Sequence, residues 1–271
     1  MTTAAAFFDL DRTLMSGSSA YYFGKAAYRE GLRPWHRMLS DVVATLVFRA
    51  FGASDEKSEA VRDAILESVA GKAAADLHRM APGVIEEILP QIRPEAQALL
   101  DMHEAAGRDV YIVSASPVEI VGELARSLGI EGGLGTVSEI VDGVYTGRLD
   151  GPFLFGEGKA TKIREIAQQR GYFLQDCYAY SDSGSDLPMM QLVGNPVAVN
   201  PDRALQAVAH RRGWPVVEFN LTGRRRRRTA LSGGFGVIAA TGGYVLGRIH
   251  TERQIRRLLD QTTTRRWRRR D

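Results

Sequence analysis

Two carboxylates spaced at i and i+2 close the first apolar run of the chain, in Phe7-Phe8-Asp9-Leu10-Asp11-Arg12-Thr13-Leu14. Residues 4–8 read as a short buried strand that runs out at Asp9. In an open α/β sheet, ligands sit beyond the carboxyl ends of the strands, so both acids are expected to point into a site. Leu10, between them, returns to the core under strand alternation. Spaced acidic pairs are common at strand ends, so the meaning of this one depends on partners later in the chain.

Three later stations supply them. Val110-Tyr111-Ile112-Val113-Ser114-Ala115-Ser116 is a second apolar strand ending in a hydroxyl. Gly156-Glu157-Gly158-Lys159 sets a lysine at the start of a helix over 160–169. Cys177-Tyr178-Ala179-Tyr180-Ser181-Asp182-Ser183-Gly184-Ser185-Asp186 is a third strand ending in another acidic pair, and Lys159 lies 23 residues before Asp182. In this order the four motifs resemble the haloacid dehalogenase (HAD) superfamily of phosphatases. The lysine-to-aspartate spacing is similar to that of subfamily IB, the phosphoserine-phosphatase-like branch. The resemblance spans residues 4–199.

That resemblance implies a Mg²⁺-dependent phosphomonoester hydrolase working through an aspartyl-phosphate. Asp9 would be the nucleophile, splitting one hard hydrolysis into two easier steps. Asp11 would protonate the leaving oxygen and then take a proton from the attacking water. Asp9, Asp182 and the backbone carbonyl of Asp11 would hold Mg²⁺, a hard cation suited to oxygen ligands. The Ser114 hydroxyl, the Ala115 N–H at a helix start and Lys159 would grip the phosphoryl group. Asp186 would orient the metal waters or Lys159 from behind, and Thr13 would brace the turn after Asp11 through the backbone.

Strands and helices alternate with glycines between them, which argues an α/β fold with a doubly wound, mostly parallel sheet. The core is expected from 1–14 and 92–222. A helical cap over 15–91, inserted after the first strand, is read from segments 34–51 and 54–70, where apolar residues recur at three and four. Tyr21, Tyr22, Phe23 and Trp35 are candidates to line the pocket under that cap. Helices are expected over 94–106 and 118–128, each stopped by a glycine, and a hairpin turns at Asp142-Gly143. The single cysteine, Cys177, excludes an internal disulfide framework and suits a reducing cytoplasm. The first residues lack the basic start of a signal peptide. None of the five histidines has metal-ligand spacing with another, which argues against a zinc site.

From Arg224 the composition changes. The tail over 223–271 holds fourteen arginines against Glu252, Asp260 and Asp271, a net +11 within a chain of +3, leaving −8 on the remainder. Between its basic blocks, residues 229–247 form nineteen uncharged residues with six glycines, close to the roughly 20 needed to cross a bilayer. Arginines on both flanks suit an interfacial segment on anionic headgroups better than a full crossing. The tail therefore predicts a cytoplasmic enzyme held at the inner face of the cell membrane. Nucleic acid is the weaker partner, since Trp267 alone offers stacking near the end of the tail.

The expected substrate is a small or lipid-derived phosphate monoester. The alternatives are a soluble phosphoserine phosphatase and a non-catalytic scaffold that binds membrane or nucleic acid. The chain departs at four points from the phosphoserine enzymes it resembles: Arg12 replaces a small residue, Ser114-Ala115-Ser116-Pro117 replaces a serine-glycine-glycine-phenylalanine run, Ser185 replaces an asparagine, and the cap lacks an obvious acidic residue just after the first motif to greet an amino group. The sequence leaves the leaving group and the oligomeric state open.

Overall fold

The computed structural model describes residues 3–29, 62, 63, 66 and 69–219. Trp35, segment 34–51, most of segment 54–70 and the basic tail lie outside the described residues. Six strands form one sheet: β1 (Ala5–Asp9), β2 (Asp109–Pro117), β3 (Gly132–Thr136), β6 (Tyr178–Ser181), β7 (Asn195–Val199) and β8 (Val216–Val217). Their order is β3-β2-β1-β6-β7-β8, and every pair is parallel. A separate antiparallel hairpin joins β4 (Ser138–Val141) to β5 (Val144–Leu149). The edge strand β8 is only two residues long, too short to carry a strand signal in the sequence.

Strand alternation builds the two cores. Phe8, Val110, Ile112 and Tyr180 face one side, packed by α3 (Pro94–Ala105), α4 (Val118–Leu128) and α2 (Ala74–Ile88). Phe7, Tyr111, Val113 and Ala179 face the other, covered by α5 (Glu157–Arg170) and α6 (Leu187–Leu192). Across the central strands Phe8 stacks on Tyr180, ring centroids 4.2 Å apart, and Phe7 on Tyr111 at 5.6 Å. Such cross-strand aromatic pairs help fix register. Leu10 is fully buried, as alternation requires, and Cys177 is buried with Ala5 N–H donating to its sulfur.

Glycine lets α4 lie close on β3. A Cβ at Gly133 would sit 2.3 Å from the Val121 carbonyl oxygen, and one at Gly135 2.5 Å from Val118 Cα. Helices α1 (Ser19–Arg29) and α2 lie between β1 and β2 in the chain and are joined by the Lys25–Glu87 ion pair. A histidine is also buried deep in the core. His103 accepts at Nδ1 from Arg108 Nε (2.8 Å), so its Nε2 carries the proton and donates to Tyr180 Oη (2.8 Å). Burial first, and the Arg108 charge second, push His103 down to about 3.

Candidate active site

Register places the acids together. Asp9 ends β1 opposite Val113 of β2, and Phe8 lies opposite Tyr180 of β6. Ser114 therefore lies one residue past Asp9 on one neighbouring strand, and Asp182 directly follows Ser181 at the end of the other. The order reverses at β1, with β2 and β3 on one side and β6, β7 and β8 on the other. This is the switch point where open α/β sheets bind ligands.

Lys159 links two of the acids. Its Nζ donates to Asp9 Oδ1 at 2.6 Å and to Asp186 Oδ2 at 2.9 Å, and all three side chains are buried. Burial alone would lower the lysine pKa; Asp186 and then Asp9 outweigh it and hold the ammonium above its ordinary value. The helix carrying it starts at Glu157, three residues earlier than the sequence suggests, so Lys159 sits in the first turn. A Cβ at Gly158 would lie 1.8 Å from the Phe153 carbonyl oxygen, so this tight entry needs glycine. Asp186 also accepts from Ser181 Oγ at 2.7 Å.

Asp11 is held differently. The backbone N–H of Ser19, first residue of α1, donates to Asp11 Oδ1 at 2.7 Å, and Ser18 Oγ donates to Oδ2 at 3.4 Å. A carboxylate at a helix N-terminus is favoured by the unsatisfied N–H groups there. Ser19 Oγ meets Ser116 Oγ at 2.8 Å, and Ser114 Oγ accepts from Ser116 N–H at 3.2 Å. A chain of hydrogen bonds thus runs from Asp11 to Ser114. Tyr21 is exposed, while Tyr22 and Phe23 pack against the hydrophobic core.

Two local readings of the sequence need correction. Thr13 Oγ1 donates to Asp9 Oδ2 at 3.3 Å, so this hydroxyl meets the carboxylate rather than the backbone. Ala115 is not at a helix start, because β2 continues to Pro117 and α4 begins at Val118. Its carbonyl accepts from Thr136 Oγ1 at 2.9 Å, and that hydroxyl accepts from Leu154 N–H, tying the end of β2 to the loop before Lys159.

The loop after β6 has its own anchor. Asp202 N–H donates to the Asp182 carbonyl at 2.7 Å, and Asp202 Oδ2 accepts from Gly184 N–H at 2.9 Å. Asp202 Oδ1 meanwhile caps α7 (Arg203–Arg212) through Leu205 N–H. The Asp182 carboxylate receives Arg12, whose Nε lies 3.0 Å from Oδ2.

The carboxyl ends of β1 and β6 and the loops after them therefore carry four acids, Asp9, Asp11, Asp182 and Asp186, with Arg12 paired to Asp182 and Lys159 to Asp9 and Asp186. The excess of acids over bases and the oxygen-only donors fit a hard divalent cation. Among the described residues no group of three or more His, Cys, Asp or Glu side chains forms a ready metal cluster. The expected set has only two such side chains, the third donor being the Asp11 carbonyl. Among the described residues no helix is long and apolar enough to cross a membrane.

Comparison with known proteins agrees with this architecture. The family model for haloacid dehalogenase-like hydrolases matches residues 6–191. The chain is 38% identical to phosphoserine phosphatase SerB1 of Mycobacterium tuberculosis, over 94% of this chain and 82% of that protein. It is 32% identical to a histidinol-phosphatase of Neisseria meningitidis, over 79% of this chain and 98% of that one. Its fold is similar to a phosphoserine phosphatase solved as a phospho-aspartyl intermediate analogue, with a TM-score of 0.60 and 18% identity over 84% of this chain and 99% of that one. With its motifs at the carboxyl ends of a six-stranded parallel sheet, the chain belongs to the haloacid dehalogenase-like hydrolases and is a phosphatase, a phosphomonoester hydrolase.

Proposed function

We propose that the enzyme hydrolyses small phosphate monoesters through a phosphorylated Asp9. The observation that carries this reading is the buried Lys159–Asp9 pair, 2.6 Å apart, at the carboxyl end of the central strand. An ammonium has three donors, of which two go to Asp9 and Asp186. The third is assigned to a phosphoryl oxygen, offsetting the repulsion between an anionic ester and a carboxylate nucleophile. Thr13 steadies the far oxygen of Asp9, and the Ser114 hydroxyl with the Ala115 N–H supplies neutral donors to the phosphoryl group.

Asp9 attacks phosphorus while the ester oxygen leaves, protonated by Asp11. Asp11, now a carboxylate at the start of α1, takes a proton from the water that cleaves the acyl-phosphate. The Ser19 N–H, donating to Oδ1, fixes the Asp11 carboxyl in place for both steps. Asp9, Asp182 and the Asp11 carbonyl are the residues that would hold Mg²⁺. Bound there, the cation supplies charge neutralisation at the phosphoryl oxygens.

Among substrates, two relatives are named for phosphoserine and histidinol phosphate, both esters of amino alcohols. These belong at the head of an assay panel, with lysophospholipid-derived phosphates beside them to test the lipid reading. The +11 tail supports docking at the anionic inner face of the cell membrane, where electrostatics attract clustered arginines. Full-length enzyme should co-sediment with vesicles containing phosphatidylglycerol and not with purely zwitterionic ones; equal binding to both would remove the electrostatic reading. For the chemistry, Asp9→Asn should abolish Mg²⁺-stimulated hydrolysis of p-nitrophenyl phosphate, and retained turnover would overturn the assignment.

A further inference from the structure

Arg12 is the second of the two cations at the acidic site, and its placement is unusual. Its φ is +63°, a left-handed conformation unfavourable for a non-glycine residue. The turn is closed by Arg12 N–H donating to the Gly17 carbonyl at 3.2 Å. From this turn the side chain reaches across from the end of β1 to the end of β6, where Nε meets Asp182 Oδ2 at 3.0 Å. The partners differ in freedom: the Arg12 side chain is 49% exposed and that of Asp182 only 2%. The main chain of Asp182 is also pinned by Asp202. Of the two, the arginine is the partner free to leave.

Resting on the reading that Asp182 is a metal ligand, we propose that Arg12 is the resident counter-cation of this carboxylate and competes with the divalent cation for it. Without metal, the guanidinium neutralises a buried acid that would otherwise be costly. When the cation enters, the arginine gives up Asp182 to solvent-side positions it already half occupies. Arg12 thereby sets how tightly the metal is held, and the other bonds around Asp9, Lys159 and Asp186 need not change.

The test is a Mg²⁺ titration of the full-length protein, read by calorimetry and by the rise in melting temperature, for wild type, Arg12→Gly, Arg12→Asn and Asp182→Asn. Glycine and asparagine both accept the left-handed turn, so these variants keep the loop. Both Arg12 variants should bind Mg²⁺ about two- to fivefold more tightly, the scale set by losing one half-exposed ion pair. Equal or weaker binding in both variants would overturn the proposal while leaving the metal site intact. A titration of Asp182→Asn indistinguishable from wild type would instead remove Asp182 as a ligand, and with it the competition.

Discussion

Lys159 Nζ lies 2.6 Å from Asp9 Oδ1 with both side chains buried, and the same ammonium reaches Asp186 at 2.9 Å. One cation is therefore shared by two buried acids, either of which would be costly to leave unpaired. Lys159→Met should lower kcat/KM by about a hundred- to a thousandfold, as expected for loss of a charge aimed at the reacting phosphate. It should also destabilise the fold by about 3–5 kcal/mol, because two carboxylates lose their buried partner. Denaturant unfolding beside steady-state kinetics separates the two effects, and an active, stable Lys159→Met enzyme would contradict this role.

Asp11 carries the acid and base duties in this scheme, so its removal should depend on the leaving group. Asp11→Asn keeps an oxygen to accept from Ser19 N–H but loses the titrating proton. Hydrolysis of an alkyl phosphate should fall roughly 10²–10⁴-fold. Formation of the phosphoenzyme from p-nitrophenyl phosphate should suffer less, because nitrophenolate departs without protonation. Single-turnover release of nitrophenol measures that step, and equal losses for both esters would argue against an acid at position 11.

His103 makes the fold acid-sensitive. The unfolded chain takes up its proton near 6.5, whereas the folded chain resists until about 3, so the unfolded state binds more protons between these values. Stability contributed by the neutral ring is complete above that window and is lost as pH falls through it, by about 1.4 kcal/mol per pH unit. His103→Gln retains hydrogen-bonding atoms without titrating. Its melting temperature should fall less than that of wild type between pH 7 and pH 5, and parallel losses would place the acid sensitivity elsewhere.

Gly133 is a packing requirement of β3 against α4. Gly133→Ala would drive a methyl to 2.3 Å from the Val121 carbonyl oxygen, a contact relieved only by moving backbone. Overpacking of this kind costs about 1–3 kcal/mol. The change should lower the melting temperature, with KM little affected because the substitution lies away from the site acids.

The local chain reveals much of this site because its main residues stand at element ends. Asp9, Ser114, Lys159 and Asp182 lie where an apolar run stops or a helix starts, and parallel register then brings those ends together. Helix boundaries at Gly107 and Gly129 were similarly readable from their stop signals. The partners supplied by tertiary paths were not. Ser19 meets Asp11 only because α1 starts over the end of β1; its serine pair, Ser18-Ser19, was the available hint of a helix start. Thr136, Ser181 and Asp202 act through bonds that span elements or close a loop, and no spacing announces them. The partner of Thr13 and the local structure at Ala115 escape the sequence for the same reason, since one hydroxyl turns toward Asp9 and one strand runs on past its apolar stretch.

The central claim is that Asp9 forms a covalent aspartyl-phosphate. Full-length enzyme turning over p-nitrophenyl phosphate with Mg²⁺ can be quenched in acid and reduced with borohydride, which converts an aspartyl-phosphate to homoserine. Peptide mass spectrometry should then find homoserine at position 9, increased in Asp11→Asn, whose second step is slowed, and absent from Asp9→Asn. Unmodified Asp9 in an enzyme shown to be turning over, or homoserine at another aspartate, would contradict the assignment.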